Sequence, residues 1–266
     1  MSARPGYYLG DHKILTLTDR GDRMYLDTRD FMITPGVLCW GGFEPETIRS
    51  FENLLRPGMR WVDIGANVGY FTIIGHKLVR DGGGQTWAFE PNPLTYTLLV
   101  DNMELNWFFE GVVTEQKAVY SESTPIHLCA PEKHSVNATI ADLPDGHWAR
   151  VADRHDRVTV QAVALDDYFK PDARPLDFLK IDVEGAELFV LKGARRTLAQ
   201  NKDVKLLIEW SPGQMEQCGI TVYDTLNEIH AQGFSCSIAE GDRRHVDLAD
   251  LPKIRNTTML LLSRTA

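Results

Sequence analysis

An acid, a glycine-rich turn and a second acid are spaced as in a binding site for a nucleotide-type cofactor. The apolar run Trp61–Ile64 contains Asp63 and leads into the turn Gly65–Gly69, and the next apolar run ends at Glu90. Glycines let the backbone approach a ligand closely, and an acid at the end of the second strand can accept hydrogen bonds from ribose hydroxyls. The spacing predicts a cofactor site at the carboxyl edge of a parallel sheet.

The order of residues in the turn favours S-adenosylmethionine over a dinucleotide. Dinucleotide sites usually read G-x-G-x-x-G and face two phosphates, whereas this turn has Asp63, Gly65, Asn67 and Gly69. A carboxylate at Asp63 would repel a pyrophosphate, but it suits a ligand with a sulfonium and an α-ammonium group. We expect Gly65, Asn67 and Gly69 to approach the amino-acid end of the cofactor. We expect Asp63 to favour the ammonium, directly or through water, or to order the turn. A tight turn with a solvated acid is the alternative.

A second charged segment begins where another buried strand is predicted to end. The segment Asp177–Leu188 starts with apolar residues and continues with Asp182, Glu184 and Glu187. We expect Asp182 to face the transferred methyl group and to contact the methionine ammonium or the acceptor hydroxyl. Glu184 is a second candidate for the chemistry, although acids near the start of a helix are also favoured by its dipole. Lys180 would point into the same site or pair with a neighbouring acid.

These two segments resemble those of the FkbM-like family of S-adenosylmethionine-dependent methyltransferases. The family shares an Asp-x-Gly-Ala-Asn-x-Gly turn and a later Lys-x-Asp-x-Glu-Gly-x-Glu segment, found here at residues 63–69 and 180–187. The resemblance runs from about Asp30 to Glu209 and includes Gly42-Phe43-Glu44 and Leu165-Asp166. It implies an S-adenosylmethionine-dependent O-methyltransferase, with S-adenosylhomocysteine as product. Implied acceptors are sugar residues of surface polysaccharides or hydroxyls of polyketide-like metabolites.

Further candidates border the predicted cofactor position. Asn92 follows Glu90 closely, and Lys117 and Ala118 end the next strand, so all three are expected beside the adenine. The resemblance also places Glu44 in the lining of the cofactor pocket. No metal is expected, since the acids of the two segments form no obvious ligand set.

Residues 121–157 interrupt the alternation of strands and helices. A stretch this long and irregular is often functional in a compact domain, and we expect it to cover the substrate. It contains His134, whose neutral imidazole could take a proton from a hydroxyl at physiological pH, and Asn137, which could position the acceptor. The candidate catalytic residues are therefore Asp182, Glu184, His134 and Asn137.

The alternation elsewhere predicts an α/β fold with a Rossmann-like, doubly wound, mostly parallel sheet of the class I methyltransferase type. Residues 1–56 are expected to form a β-hairpin extension and a first helix, and residues 57–266 the cofactor-binding domain. The pattern predicts one strand over residues 112–120, one helix over residues 186–200, and a closing antiparallel pair at residues 234–238 and 258–262.

Composition excludes some classes of function. The chain has 266 residues, 43% of them hydrophobic, and a formal charge of −9. This is enough for a sizeable core in one unit, and the charge disfavours a nucleic-acid substrate. No apolar segment reaches the length of a bilayer span, and the start lacks the order of a signal peptide. We expect a soluble, cytoplasmic protein. We also expect its four cysteines to be reduced, namely Cys39, Cys129, Cys218 and Cys236.

Two other functions remain open on the sequence alone. One is a nicotinamide-dependent sugar reductase, which the same sheet could host, although Asp63 and the missing G-x-G-x-x-G argue against it. The other is a non-catalytic module that keeps a cofactor pocket.

Overall fold

The N-terminal part of the chain forms a small antiparallel sheet. The structure, a computed structural model, describes residues 5–131, 140, 155–171, 174–239 and 244–264. Strands β1 (Tyr7–Gly10), β2 (Lys13–Leu17) and β3 (Arg23–Asp27) pair in that order. The sequence predicted a hairpin, and the additional strand β1 is a correction to that prediction.

Parallel strands form one side of an eight-stranded sheet in the described residues. They are β4 (Arg60–Ile64), β5 (Gln85–Phe89), β6 (Val112–Glu115), β10 (Phe178–Ile181) and β11 (Lys205–Trp210). Their order across the sheet is β11-β10-β4-β5-β6, with β6 at its edge. The chain therefore reverses its direction of winding between β4 and β10, and in open α/β sheets ligands bind in the crevice outside such a switch point.

Antiparallel strands close the same sheet beyond β11. They are β12 (Ser235–Ile238), β13 (Arg244–Val246) and β14 (Thr258–Ser263), in the order β13-β12-β14 with β14 next to β11. The predicted antiparallel pair is confirmed, and β13 is an addition. The α/β class with a mostly parallel, Rossmann-like sheet is confirmed as well.

Helices flank the sheet and bury their apolar faces on it. In chain order they are α1 (Ile33–Trp40), α2 (Pro45–Leu54), α3 (Tyr70–Val79), α4 (Pro93–Leu105), α5 (Leu165–Tyr168), α6 (Glu187–Lys192), α7 (Arg195–Gln200), α8 (Pro212–Gln217) and α9 (Val222–Ala231), with a 3-10 helix at Leu248–Lys253. In the described ranges, none of these helices is long and apolar enough to cross a membrane.

Successive residues of the central strands enter different core layers. Val62 and Leu179 pack on one face of the sheet, whereas Trp61 and Phe178 pack on the other, against α2 and α3. This alternation follows from the two-residue period of a strand. Asp63 and Lys180 therefore lie on the same face as Trp61 and Phe178.

The ends of the predicted substrate cover are regular strands. Strands β8 (Pro125–Pro131) and β9 (His155–Val163) form an antiparallel pair, and β9 also pairs with the short β7 (Ala118–Val119). The single strand predicted over residues 112–120 is thus wrong, because its two halves belong to different sheets. Residues 132–139, which include His134 and Asn137, and residues 141–154 lie outside the described residues.

The helix predicted over residues 186–200 is interrupted at Gly193. A Cβ atom at this position would lie 2.0 Å from the carbonyl oxygen of Tyr120. The backbone that leads into β8 therefore packs directly against the junction of α6 and α7, and the sequence of the helix alone does not reveal this contact.

We expect Gly193→Ala to lower the free energy of unfolding by about 2–3 kcal/mol, the scale of overpacking a close-packed site. The clash is with backbone, which cannot move aside as a flexible side chain would. Urea unfolding measures the effect. The matched control is Gly213→Ala in α8, where a Cβ atom meets nothing within 4 Å and alanine is the better helix former. Equal stability of the two variants would contradict the packing argument.

Candidate cofactor and active site

A cavity of about 350 Å³ opens at the carboxyl ends of β4, β5, β10 and β11. This volume is within the usual range for small-molecule sites. Much of the lining is apolar, including Phe43, Phe71 and Phe89. The cavity brings together many of the residues predicted from the sequence: Glu44, Gly65, Asn67, Glu90, Lys117, Ala118, Asp182 and Glu184.

The turn after β4 requires glycine at its first position. Gly65 has a φ of +80°, and a Cβ atom there would lie 1.8 Å from the carbonyl oxygen of Asp182. The amides of Gly65 and Ala66 both donate to the carbonyl oxygen of Phe89, at 3.0 Å. The turn is thereby fixed between the ends of β10 and β5, with its backbone facing the cavity.

Glu90 is held in place by three donors of the protein. Its Oε1 accepts hydrogen bonds from the Asn92 amide (2.9 Å) and the Thr95 hydroxyl (2.8 Å), and its Oε2 accepts one from the Asn67 amide (2.8 Å). Burial raises the pKa of Glu90, and these hydrogen bonds oppose the rise. A carboxylate offers about four acceptor positions. With three donors from the protein, one position is left on Oε2, so Glu90 has room for one ribose hydroxyl in ordinary hydrogen-bond geometry.

Lys180 is a buried cation between two acids. Its side chain is 2% exposed, and its Nζ lies 2.9 Å from Asp182 Oδ2 and 3.8 Å from Asp63 Oδ1. The ammonium also lies 4.7 Å from the centre of the Phe71 ring. Burial alone would lower the pKa of Lys180, but Asp182 and Asp63 outweigh it and raise the pKa above its ordinary value. Lys180 is therefore charged at neutral pH.

Asp63 lies behind the cavity wall. The residue is fully buried, and its Oδ2 accepts a hydrogen bond of 2.6 Å from the Thr72 hydroxyl of α3. Burial raises the pKa of Asp63, whereas Lys180 and Thr72 lower it. Its contacts support a role in fixing β4, α3 and Lys180 beneath the turn, rather than direct contact with a ligand.

Two predicted cofactor residues serve helix α4 instead. A Cβ atom at Gly69 would meet the side chains of Leu99 and Met103 at 2.8 and 3.0 Å. Asn92 caps α4, because its side-chain oxygen accepts a hydrogen bond from the amide of Leu94. Neither Gly69 nor Asn92 lines the cavity, and their contact with the cofactor stays a prediction from the sequence.

Acidic side chains crowd the β10–β11 side of the cavity. Asp182 and Glu184 follow β10, Glu209 is near the end of β11, and Glu44 lies at the start of α2. Burial, reinforced by the charge of Asp182, raises the pKa of both Glu184 and Glu209 well above the ordinary value. Gln214 of α8 donates a hydrogen bond to Glu184 Oε2. Such a site favours a cationic group.

Sequence reasoning did not select Glu209 or Gln214 as site residues. Glu209 carried a signal, since it is an acid near the carboxyl end of an otherwise apolar strand. Gln214 carried none, because its place in the wall depends on how α8 packs after β11.

The opposite end of the cavity contains Lys117 and Ala118. Lys117 Nζ lies 2.7 Å from Glu115 Oε2 and 5.8 Å from the centre of the Tyr168 ring. Ala118 is buried in β7. Ile126 and Leu128 of β8 complete this part of the wall together with Ile140. Across the described ranges, no group of three or more His, Cys, Asp or Glu side chains is arranged to hold a metal ion.

Comparison with known families identifies the domain. The model of the methyltransferase FkbM domain matches residues 63–236, a stretch that begins within β4 and contains the turn, β10 and β11. The chain belongs to the FkbM methyltransferase family. The resemblance in the two charged segments is confirmed, as is S-adenosylmethionine as the cofactor of the domain.

Individual relatives of this FkbM chain are distant. Methyltransferase sdnD of Sordaria araneosa is 30% identical over 154 residues, which cover 50% of this chain and 59% of that protein. Methyltransferase 1 of Beauveria bassiana is 29% identical over 144 residues, which cover 50% of this chain and 57% of that protein. The chain thus spans under two thirds of these relatives. The crystal structure of methyltransferase FkbM from Methylobacillus flagellatus is 18% identical with a TM-score of 0.49, covering 80% of this chain and 49% of that one.

The residues of the FkbM site fit S-adenosylmethionine. Glu90 offers a carboxylate on the β5 side, and the acids around Lys180 offer negative charge on the β10 side. A Cβ atom at Gly65 would clash with the carbonyl oxygen of Asp182, so the turn between these two sides presents backbone alone to a ligand. The two ends match a ligand with ribose hydroxyls at one end and cationic groups at the other.

We expect Lys180→Met to destabilise the protein by about 3–5 kcal/mol at pH 8, because the variant leaves Asp63 and Asp182 without their cation. The two orphaned acids should bind protons more tightly in the folded than in the unfolded state. At pH values between the ordinary pKa of these acids and their raised pKa in the folded variant, folding is accompanied by proton uptake. The free energy of unfolding of the variant therefore rises as the pH falls from 8 towards 5. Urea unfolding across this range measures the effect.

The double variant Lys180→Met/Asp63→Asn should recover part of the loss. Lys253→Met is the control, since Lys253 pairs with Asp250 on the surface, and its stability should match that of the wild type. A Lys180→Met variant whose stability loss did not depend on pH would contradict this account.

Proposed function

We propose that this FkbM-family chain is an S-adenosylmethionine-dependent O-methyltransferase that acts on a hydroxyl of a glycan or small-molecule metabolite. The observation that carries the proposal is the position of Glu90 and of the acids around Lys180 at opposite sides of one cavity. A small-molecule or glycan acceptor fits this cavity. A cytoplasmic location, expected from the sequence, stays a prediction.

The order of strands supports an orientation for the cofactor. Glu90 follows β5, the turn at Gly65 follows β4, and Asp182 follows β10, and these strands are neighbours in the sheet. Adjacent strands lie about 4.8 Å apart. We propose that the ribose lies near Glu90 and the amino-acid end near Gly65 and Asp182, with the adenine towards Lys117 and Ala118.

When bound, S-adenosylmethionine supplies an activated methyl group. Transfer forms a bond between the acceptor oxygen and the methyl carbon as the bond from that carbon to sulfur breaks, and its electron pair stays on sulfur. The proton of the acceptor hydroxyl must then pass to a base. Alignment of the acceptor in a cavity with largely apolar walls is expected to supply most of the rate enhancement.

Two carboxylates are candidates for the base. Asp182 already accepts a hydrogen bond from Lys180 at 2.9 Å, which suits it to hold a cationic group in a fixed position. Glu184 has a raised pKa because it is buried near Asp182 and Glu187. A raised pKa makes a carboxylate a stronger base, and Glu184 lines the cavity beside Asp182, so Glu184 is the structural candidate for the base. His134 and Asn137 stay proposals from the sequence.

The alternative functions are less well supported. A nicotinamide cofactor would bring its pyrophosphate close to the turn, where the described lining offers carboxyl groups and no cation that is not already paired with an acid. These cavity acids argue against a reductase more directly than the buried Asp63 does. Turnover with an acceptor would distinguish the enzyme from a non-catalytic binding module.

S-adenosylhomocysteine should raise the unfolding temperature of the protein by binding the native state, whereas NAD and NADP should not. Glu90→Ala is expected to weaken this binding by about 2–4 kcal/mol, the scale of losing hydrogen bonds to a charged acceptor. Titration calorimetry measures the affinity. Glu46→Ala, on the exposed side of α2, is the control. If Glu90→Ala bound S-adenosylhomocysteine as tightly as the wild type, the ribose would not be bound by Glu90.

Asp182→Asn and Glu184→Gln should each lower methyl transfer by about a hundredfold or more if the altered residue is the base, and His134→Gln should have a much smaller effect. Mass spectrometry can detect products that have gained one CH₂ in glycan and metabolite extracts. S-adenosylhomocysteine affinity must be measured for each variant. Replacing a residue that binds the ammonium would lower both this affinity and the rate of methyl transfer. A larger loss of methyl transfer in His134→Gln than in the other two variants would make His134 the candidate base.

A further inference from the structure

Two buried oxygens in the cavity wall lack a hydrogen-bond partner in the part of the chain that the structure describes. They are Oε2 of Glu209 and Oε1 of Gln214, and both residues line the cavity. Native proteins rarely leave buried acceptors unsatisfied, because losing contact with water without a replacement donor is unfavourable. A bound group that donates hydrogen bonds would satisfy both oxygens.

Glu209 lies beyond the expected position of the cofactor. It is on β11, and the order β11-β10-β4-β5 separates it from Glu90 by three strand spacings, or about 14 Å. Glu90 and the turn after β4 account for the ribose and the amino-acid end. Glu209 and Gln214 thus border the side of the cavity from which an acceptor would approach the methyl group.

The position of Gln214 is fixed by its neighbours. A Cβ atom at Gly185 would lie 2.5 Å from the backbone carbonyl of Gln214, so the first turn of α8 packs directly on the segment after β10. The amide nitrogen of Gln214 donates to Glu184. Its carbonyl oxygen is therefore left as the acceptor.

The charges of the wall discriminate among possible acceptors. The acids that line the cavity are Glu44, Glu90, Asp182, Glu184 and Glu209. The cations in the described lining are Lys117 and Lys180, and each pairs with an acid. A carboxylate or phosphate next to the reacting hydroxyl would find no unpaired cation in the described lining, whereas neutral hydroxyls would find acceptors.

We propose that Glu209 and Gln214 bind the methyl acceptor and select a neutral polyhydroxylated molecule, by accepting hydrogen bonds from hydroxyls that flank the methylated one. The inference rests on the proposed function and narrows its acceptor class. Of the two classes that the sequence left open, it favours sugars over largely apolar metabolites.

The test first measures S-adenosylhomocysteine binding by calorimetry. It then measures methyl transfer to methyl hexopyranosides, their 6-deoxy forms, their uronates, and cyclohexanol as an apolar alcohol. We expect turnover of at least one neutral glycoside, with kcat/KM at least about tenfold lower for its uronate and for cyclohexanol, because a site built to pair hydroxyls rejects ligands that leave it unpaired.

Glu209→Gln and Gln214→Leu should raise KM for the glycoside by about tenfold, while the affinity for S-adenosylhomocysteine stays within about twofold of the wild type. Glu209→Gln should also reduce the difference in kcat/KM between the glycoside and its uronate, because the new amide nitrogen can donate a hydrogen bond to a carboxylate. The matched control is Glu216→Gln, on the exposed side of α8, the helix that contains Gln214. It should leave the KM for the glycoside and the affinity for S-adenosylhomocysteine unchanged. Urea unfolding confirms that each variant is folded.

The inference is overturned if the uronate or cyclohexanol is methylated as well as the glycoside. It is also overturned if no neutral glycoside is methylated although S-adenosylhomocysteine binds. A loss of S-adenosylhomocysteine affinity in Glu209→Gln would make Glu209 a cofactor residue instead. Failure of the wild type to bind S-adenosylhomocysteine would overturn the proposed function itself, and the inference with it.

Discussion

The ion pairs of Lys180 are the interaction on which the rest of the site depends. Lys180 and Asp63 are register partners on the neighbouring parallel strands β10 and β4, so their side chains extend from the same face of the sheet. Burying a charge is unfavourable unless it is paired. Lys180 lies between Asp63 below the turn and Asp182 beside it, and it is the cation that pairs with both acids. Several acids can therefore line the cavity without destabilising β4 and β10 beneath it.

Unusual backbone conformations concentrate around the same cavity. Asn67, Glu44 and Glu184 have positive φ values although they are not glycines, and all three line the cavity. Such conformations are unfavourable for residues with a Cβ atom, and they persist where the surrounding structure fixes them. Here they turn two carboxylates and one amide towards a common space, which regular strands and helices would not do.

The sequence predicted the elements that depend on local patterns. Apolar runs located the parallel strands, and acids at their ends located Glu90 and Asp182, because carboxyl ends of parallel strands share one edge. Features that depend on contacts between distant segments were missed. The break at Gly193 arises from the carbonyl of Tyr120. The close packing of Gly69 depends on which face of α4 lies against it. Gln214 enters the wall only through the packing of α8.

The hairpin of β8 and β9 has a consequence for the evolution and engineering of this fold. It contributes Ile126 and Leu128 to the cavity, yet in the described ranges its strands pair with β7 and with each other rather than with the eight-stranded sheet. Replacing the hairpin would reshape one wall and leave the strands that carry Glu90, Asp63 and Lys180 intact. The architecture thus provides an exchangeable module, through which a separately paired framework can be adapted to new molecules.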